Sequence, residues 1–354
     1  MELYDLGLTE WFLSEQEDPT SDELARVITV NKDNYTLQDK EDSFTAEITG
    51  KIRYNAESKM DLPAVGDWVK IQDFNDSAVI IDILPRKTEL KRKSAGRRME
   101  YQMIATNINT AFIMQSLDTN FNINRMERYL TMIHESEIDA VILLSKTDLL
   151  EKEELAEKIQ QIRDQGITEE VIAFSNENNF GIEEFLSKLE RGKTYCLLGS
   201  SGVGKTTLLN NLIGEELYET GEIREKDSKG RHTTTNRHLV MMPQGGMIID
   251  TPGMRELGNI EITTGIKKTF NEIERLSELC KFNNCSHTQE PKCAVLKAVA
   301  DGDISEAHYH NYMKITKETM HNEMSYFEKR KQDKEFGKMI KRVTGELKSR
   351  KGNR

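Results

Sequence analysis

The run Gly199-Ser200-Ser201-Gly202-Val203-Gly204-Lys205-Thr206 satisfies the pattern G-x-x-x-x-G-K-[ST]. Its chemistry is anion binding. The glycines let the backbone curl with its N–H groups inward, at the start of a helix whose N-terminal partial charge favours phosphate. Lys205 is expected to reach the β- and γ-phosphates of a nucleotide and the Thr206 hydroxyl to ligate Mg²⁺, with Thr207 beside them in the phosphate-binding set. Downstream, Asp250-Thr251-Pro252-Gly253 follows the apolar run Met247-Ile248-Ile249, where a second phosphate sensor is expected. Asp250 reads as the outer-sphere Mg²⁺ partner and the Gly253 N–H as a γ-phosphate contact, so loss of that phosphate would release the segment. Between the two motifs, Gly230-Arg231-His232-Thr233-Thr234-Thr235 reads as a mobile switch in which Thr234 or Thr235 completes the Mg²⁺ shell. The phosphate loop alone leaves ATP and GTP undecided.

Ser145-Lys146-Thr147-Asp148 closes the apolar run Ala140 to Leu144 and is similar to the Asn-Lys-x-Asp guanine-reading motif, with serine in first place. The Asp148 carboxylate can accept two hydrogen bonds from guanine, whereas adenine would leave it unpaired at a cost of roughly 1–3 kcal/mol. Lys146 would lay its methylene stem along the base. Ser175-Asn176, at the next strand end, stands where a supporting base contact is expected. Asp148 precedes Gly199 by fifty-one residues, so the base motif comes before the phosphate loop and the usual order of such motifs is circularly permuted. A sheet assembles by spatial neighbours, so moving the termini to another surface loop leaves the pocket intact. The permutation joins Asp250-Thr251-Pro252-Gly253 directly to the C-terminal part of the chain.

Cys280, Cys285, His287 and Cys293 form C-x4-C-x-H-x5-C, four soft or borderline ligands suited to one tetrahedral Zn²⁺. Four protein ligands leave no open position, so the site is expected to be structural and to hold a segment too small to build its own core. His308 and His310 would be ligands only by displacing one of these four and read as helix-surface residues.

These residues need positioning, and at 354 residues the chain is long enough for two or three domains. Residues 1–23 form an N-terminal extension; 24–85 carry β-rich runs (Ala25 to Val30, Ser43 to Ile52, Asp67 to Ile71, Ser77 to Leu84) that suggest a small OB-type barrel. Residues 86–106 read as a basic linker. Residues 107–260 alternate strands (Thr110 to Met114, Ala140 to Leu144, Val171 to Phe174, Thr194 to Leu198, His238 to Met242, Met247 to Ile249) with helices (Asn124 to Glu135, Lys152 to Asp164, Ile182 to Leu189, Lys205 to Ile213). That alternation argues for an α/β domain with a mostly parallel sheet. Residues 261–325 are a helical zinc-binding domain and 326–354 a basic tail. The formal net charge is −11, yet Arg86 to Arg98 holds seven basic residues and one acid, and Lys329 to Arg354 eleven and three. Such blocks can meet phosphate backbones despite an acidic total, or remain a solvated linker and tail. No apolar run is long enough to span a bilayer, and Met-Glu-Leu-Tyr-Asp lacks a signal-peptide pattern, so a cytoplasmic protein without membrane contact is expected.

With permuted motifs, a Thr-Thr-Thr switch, Asp-Thr-Pro-Gly and the Cys-Cys-His-Cys cluster, the chain resembles the ribosome small subunit-dependent GTPase A family, also called RsgA, over roughly Ala25 to Met320. Matching signatures are Pro63-Ala64-Val65-Gly66-Asp67-Trp68-Val69, Gln102 to Asn107, Arg128-Tyr129-Leu130 and Cys280 to His287. The resemblance implies an N-terminal OB-fold, a circularly permuted P-loop GTPase domain and a zinc domain. It further implies a GTPase acting on the β–γ phosphoanhydride in late maturation of the 30S subunit, stimulated by that subunit. Expected partners are GTP and GDP, the 30S subunit and 16S rRNA met by the barrel, Arg86 to Arg98 and the tail, the chain itself being a monomer. The alternative is a nucleotide-gated rRNA-binding assembly chaperone in which hydrolysis is incidental. Position 254 is Met, where many GTPases place a water-orienting glutamine, and His232 resembles a family histidine for that task. Two departures stand out: Ser145 replaces asparagine, which lowers the expected guanine affinity, and Lys292 occupies a place where the family often has glycine, with little expected effect.

Overall fold

Short alternating strands in the first third of the chain close into a barrel. The structure, a computed structural model, describes residues 2–14, 23–32, 34–74, 77–93, 101–214, 237–251 and 263–323. After α1 (Glu10–Ser14) come β1 (Leu24–Val30), β2 (Tyr35–Gln38), β3 (Ser43–Ile48), α2 (Gly50–Asn55), β4 (Trp68–Phe74) and β5 (Ser77–Ile83). β1 pairs with β2, β2 with β3, β3 in parallel with β5, β5 with β4, and β4 again with β1. The five-stranded ring matches the expected OB type and encloses Ala25, Val27, Leu37, Val69 and Ile80. The run read as Ser43 to Ile52 stops at Ile48, because the Thr49 side chain accepts from the Ile52 N–H and caps α2. β2 had no separate sequence signal; four residues between turns are too few for a periodicity.

The segment expected as a basic linker is instead a hairpin, β6 (Glu89–Lys93) paired with β7 (Tyr101–Thr106). Leu90, Met103, Ile104 and Ala105 are buried in it, and burying them requires pairing. Arg86 is a structural cation: its Nη2 lies 2.8 Å and its Nε 2.9 Å from the two carboxylate oxygens of buried Asp67, and it also donates to the Met60 and Leu62 carbonyls. Gly66, beside Asp67, has φ +97°, and a Cβ there would lie 2.2 Å from the Thr106 carbonyl oxygen. The Gly66-Asp67 pair thus clamps β7 to the barrel. The N-terminal residues are part of the fold too: Leu3, Leu6, Leu8 and Phe12 are buried, Phe12 against Trp68.

The α/β part follows as β8 (Thr110–Ser116), α3 (Ile123–Glu135), β9 (Asp139–Ser145), α4 (Lys152–Arg163), β10 (Glu170–Ala173), α5 (Ile182–Leu186), β11 (Thr194–Leu198), α6 (Lys205–Ile213), β12 (His238–Met241) and β13 (Met247–Asp250). In space the order is β10-β9-β8-β11-β13-β12, with β12 antiparallel and the rest parallel. β11 is central and buried on both faces, which explains its unbroken apolar sequence and buried Cys196. β12 also meets β1, at His238 and Thr29, whose side chains share a hydrogen bond, so one eleven-stranded sheet runs from the α/β core into the barrel. At that seam the guanidinium of buried Arg26 donates to the carbonyls of Leu6, Gly66 and Asn107.

Four helices complete the described chain: α7 (Thr264–Thr269), α8 (Asn271–Ser277), α9 (Ala294–Asp301) and α10 (Glu306–Glu323). α10 docks on α3. Its His308 is not a surface residue as expected but is 3 % exposed, with Nδ1 2.5 Å from Glu127 Oε1 on α3. Asn311 donates to the other oxygen of Glu127, and Arg128 pairs with Glu318 at 2.9 Å. Glu127 is fully buried and needs both partners, a requirement that helical periodicity does not reveal. His310 is exposed, as expected. No helix among the described residues is long and apolar enough to cross a membrane.

Because Asp67 is the buried anion that holds Arg86, Asp67→Ala should leave the guanidinium with Glu89 at 3.4 Å and two carbonyls and destabilise the chain by roughly 2–4 kcal/mol. Urea unfolding followed by tryptophan fluorescence reads this directly; a loss under about 1 kcal/mol would show that the clamp is unimportant.

Candidate nucleotide site and cysteine cluster

At the end of β11 the chain turns through Gly199 to Gly204 into α6. Gly204 has φ +95°, and a Cβ on it would lie 3.0 Å from Asn176 Nδ2, so glycine fits both the turn and the close approach. Lys205, 7 % exposed, donates from Nζ to the carbonyls of Gly199 (2.8 Å) and Ser200 (2.9 Å). Burial pulls the Lys205 pKa down against the attraction of Asp250, and burial raises the Asp250 pKa against Lys205. The two groups therefore share one field at the end of the sheet, flanking the loop. Thr206 and Thr207 are half-buried in the first turn of α6. Thr251, also buried, donates its hydroxyl to Leu197 O and pins the exit of β13 to β11.

The parallel register brings the residues expected to read the base to this same edge. Ser116 of β8 lies opposite Ser145 of β9, and Leu144 opposite Ala173 of β10, so β8, β9, β10 and β11 all end at the phosphate loop. Ligands of open α/β sheets bind at that carboxyl edge. Ser145 Oγ donates to Val203 O at 2.7 Å, so the serine at the asparagine position ties the base strand to the phosphate loop. Asn176 Nδ2 donates to Gly204 O at 3.3 Å, a second tie. Lys146 adopts a left-handed backbone (φ 62°) and places Nζ 2.7 Å from Asp118 Oδ2. Asp148 accepts a hydrogen bond from Ser175 Oγ. Thr147 Oγ1 and Asn176 Oδ1 are buried without protein partners.

Ser145, Lys146, Thr147, Asp148, Ser175 and Asn176 thus share one edge with Gly199, Ser200, Ser201, Gly202, Val203, Gly204, Lys205, Thr206, Thr207 and Asp250. His232, Thr234, Thr235 and Gly253 lie outside the described residues. Two residues of the edge had no sequence signal. Asp118 holds Lys146, Ser116 Oγ and the Asn120 N–H, and Arg125 of α3 donates from Nη1 to Ser200 Oγ at 2.8 Å. An aspartate after a strand and an arginine in a first helical turn are too common to single out.

The thiols of Cys280, Cys285 and Cys293 and the His287 ring nitrogen lie within 4.8 Å of one another. Cys280 Sγ is 3.7 Å from His287 Nδ1 and 3.8 Å from Cys293 Sγ, and His287 Nδ1 is 3.4 Å from Cys293 Sγ. A tetrahedron built on Zn–S bonds of about 2.3 Å has edges of about 3.8 Å, so the cluster fits one Zn²⁺ with no open position. The N–H groups of Ala294 and Leu296 point at Cys280 and Cys293 sulfur, and the Tyr309 hydroxyl donates to His287 O at 2.6 Å. These contacts orient the ligands and link the cluster to α10. Lys292 has φ 64°, the left-handed region that glycine adopts most easily, so its departure carries backbone strain as well as charge. Cys293→Ser should lower zinc content from one to near zero per chain by atomic absorption and expose α9 to limited proteolysis. Full zinc retention would contradict the assignment.

Comparison with known proteins follows the same outline. The RsgA GTPase family model matches residues 83–260, just over half of the chain. An ABC transporter model matches 183–346, a range that contains the phosphate loop but begins after Asp148 and Asn176. A small ribosomal subunit biogenesis GTPase RsgA 2 from Lactiplantibacillus plantarum is 42 % identical over 314 residues, 88 % of this chain and 88 % of that protein. A protein of the same name from Vibrio parahaemolyticus is 37 % identical over 327 residues, 92 % and 87 % of the two chains. Among solved structures, YloQ, described as a circularly permuted GTPase, aligns with TM-score 0.59 at 26 % identity over 86 % of this chain and 96 % of its own. YjeQ from Thermotoga maritima aligns with TM-score 0.63 at 24 % identity, over 84 % and 98 %, a likeness of fold. Matched by that family model over residues 83–260 and by relatives 37 and 42 % identical over most of both chains, the chain belongs to the RsgA GTPase family.

Proposed function

We propose that this protein hydrolyses GTP to GDP and phosphate while bound to the small ribosomal subunit, and acts late in that subunit's maturation. The observation that carries the reading is the joining of Ser145 and Asn176 to the phosphate loop, because it makes one guanine-nucleotide pocket out of motifs in permuted order. Relatives named small ribosomal subunit biogenesis GTPases, at 37 to 42 % identity, supply the subunit as partner. In this pocket Asp148 reads the guanine edge and Lys146 supports the base, with Ser175 and Asn176 closing the far side. Lys205 exchanges the Gly199 and Ser200 carbonyls for phosphate oxygens as nucleotide enters.

The Thr206 hydroxyl is a hard oxygen donor of the kind Mg²⁺ takes and would hold the ion with Thr234 or Thr235, the Asp250 carboxylate acting on it from the outer sphere. When bound there, Mg²⁺ would supply positive charge against the charge that develops on the β- and γ-phosphates. Gly253 senses the γ-phosphate, and His232 orients the attacking water in place of a glutamine, which Met254 cannot replace. Turnover is therefore slow alone and fast on the subunit, where 16S rRNA meets the barrel and the basic tail. The protein works as a cytoplasmic monomer.

Single-turnover hydrolysis of labelled GTP, with and without purified small subunits, tests this. The expected result is a rate at least about tenfold higher with small subunits, lost on Lys205→Ala, and declining as salt weakens phosphate contacts. A rate unmoved by subunits that the protein demonstrably binds would favour the assembly-chaperone reading.

A further inference from the structure

One cation at the pocket has no place in the roles above. Arg125 stands in the first turn of α3, three residues after its cap Asn122, whose side chain accepts from the Arg125 N–H. A positive side chain is disfavoured there by the helix dipole, and no acidic residue shares that turn. Its guanidinium reaches away from the helix to Ser200 Oγ at 2.8 Å and to Asn120 O at 3.3 Å. Among the described residues no carboxylate pairs with it. Ser200 is the second residue of the phosphate loop, and its carbonyl also accepts from Lys205 Nζ at 2.9 Å. Two cations therefore sit on one residue of an anion-binding loop, one on its side chain and one on its backbone, and only Lys205 is part of the phosphate-loop motif. An anion arriving at Ser200 would meet both. A guanidinium has five N–H donors, so bonds to Ser200 and Asn120 leave others for phosphate oxygens.

We propose that Arg125 is an intramolecular arginine that moves from Ser200 onto the terminal phosphate of GTP and stabilises it during hydrolysis. This rests on reading the pocket as a GTPase site. In the reaction a water oxygen bonds to the γ-phosphorus while the bond from that phosphorus to the β–γ bridging oxygen breaks. The electron pair stays on the bridging oxygen, which leaves as part of GDP, and the two water protons remain on the released phosphate. Negative charge grows on the bridging oxygen and spreads over the γ-oxygens, where a charged planar fork has most effect. Arg125 comes from the same chain, so the device needs no second protein to deliver it.

The test is made on the full-length chain. Arg125→Ala should lower the single-turnover rate of GTP hydrolysis, with and without small subunits, by at least about 100-fold. GDP affinity should stay within about threefold of wild type, since the acting phosphate is absent from GDP. The variant should also fail to trap GDP with aluminium fluoride, which stands in for the transferring phosphate, and Arg125→Lys should recover part of the rate. Hydrolysis within about twofold of wild type would overturn the proposal, as would equal losses of GDP and GTP affinity, which would make Arg125 a support of the loop and nothing more. A wild-type chain that bound GTP and never hydrolysed it would overturn the GTPase reading, and this proposal with it.

Discussion

The hydrogen bond from Ser145 Oγ to Val203 O, 2.7 Å long, joins the end of β9, proposed to read the base, to the phosphate loop across fifty-eight residues of sequence. Without it and its companion from Asn176 to Gly204 O, the two halves of the pocket would be neighbours rather than one site. Both bonds depend on register. β8 pairs in parallel with β9 on one side and β11 on the other; β8 and β9 end level at Ser116 and Ser145, while β11 ends opposite Ile113, three residues earlier, and all three carboxyl ends face the same edge. Chain order does not enter that geometry, which is why a permuted sequence can rebuild a pocket whose motifs occur elsewhere in the opposite order.

Chain order does decide what the pocket is attached to. β13 carries Asp250 at its end, and the chain continues from there toward α7 and the cysteine cluster. α10 returns to grip α3 through the buried set of Glu127, His308 and Asn311, on the same helix whose first turn offers Arg125 to the phosphate loop. On the other side, β12 is hydrogen-bonded into the barrel at Thr29 and His238, with His238 directly opposite Asp250 across the sheet. The barrel and the cysteine-bearing helices thus each rest on an element that ends at the nucleotide edge. A rearrangement there has short mechanical routes to both, through packed elements rather than flexible linkers.

Much of this was legible in the amino-acid sequence because the relevant signals are local. The phosphate loop needs glycines at fixed offsets, the cysteine cluster needs four ligands within a short span, and strands such as β11 and β9 are uninterrupted apolar runs. What escaped was set by partners distant in sequence. Arg86 looked like one charge in a basic linker, yet its role is defined by Asp67, nineteen residues earlier, and the hairpin around it by the burial of Leu90 and Met103. His308 looked like a surface histidine until Glu127, 181 residues away, was placed against it. Ser145 looked like a substitution that lowers guanine affinity. Its hydroxyl supplies the link to the phosphate loop, which a motif comparison cannot show because the acceptor is a backbone carbonyl in another segment.

Motifs in permuted order are proposed to form one pocket that selects guanine through Asp148. The most direct measurement is calorimetric titration of the full-length protein with GDP and with ADP in the presence of Mg²⁺, repeated on Asp148→Ala. GDP should bind at least about 100-fold more tightly than ADP, and the substitution should remove the difference by weakening GDP alone. Equal affinities in the unaltered protein, or tighter binding of ADP, would contradict it.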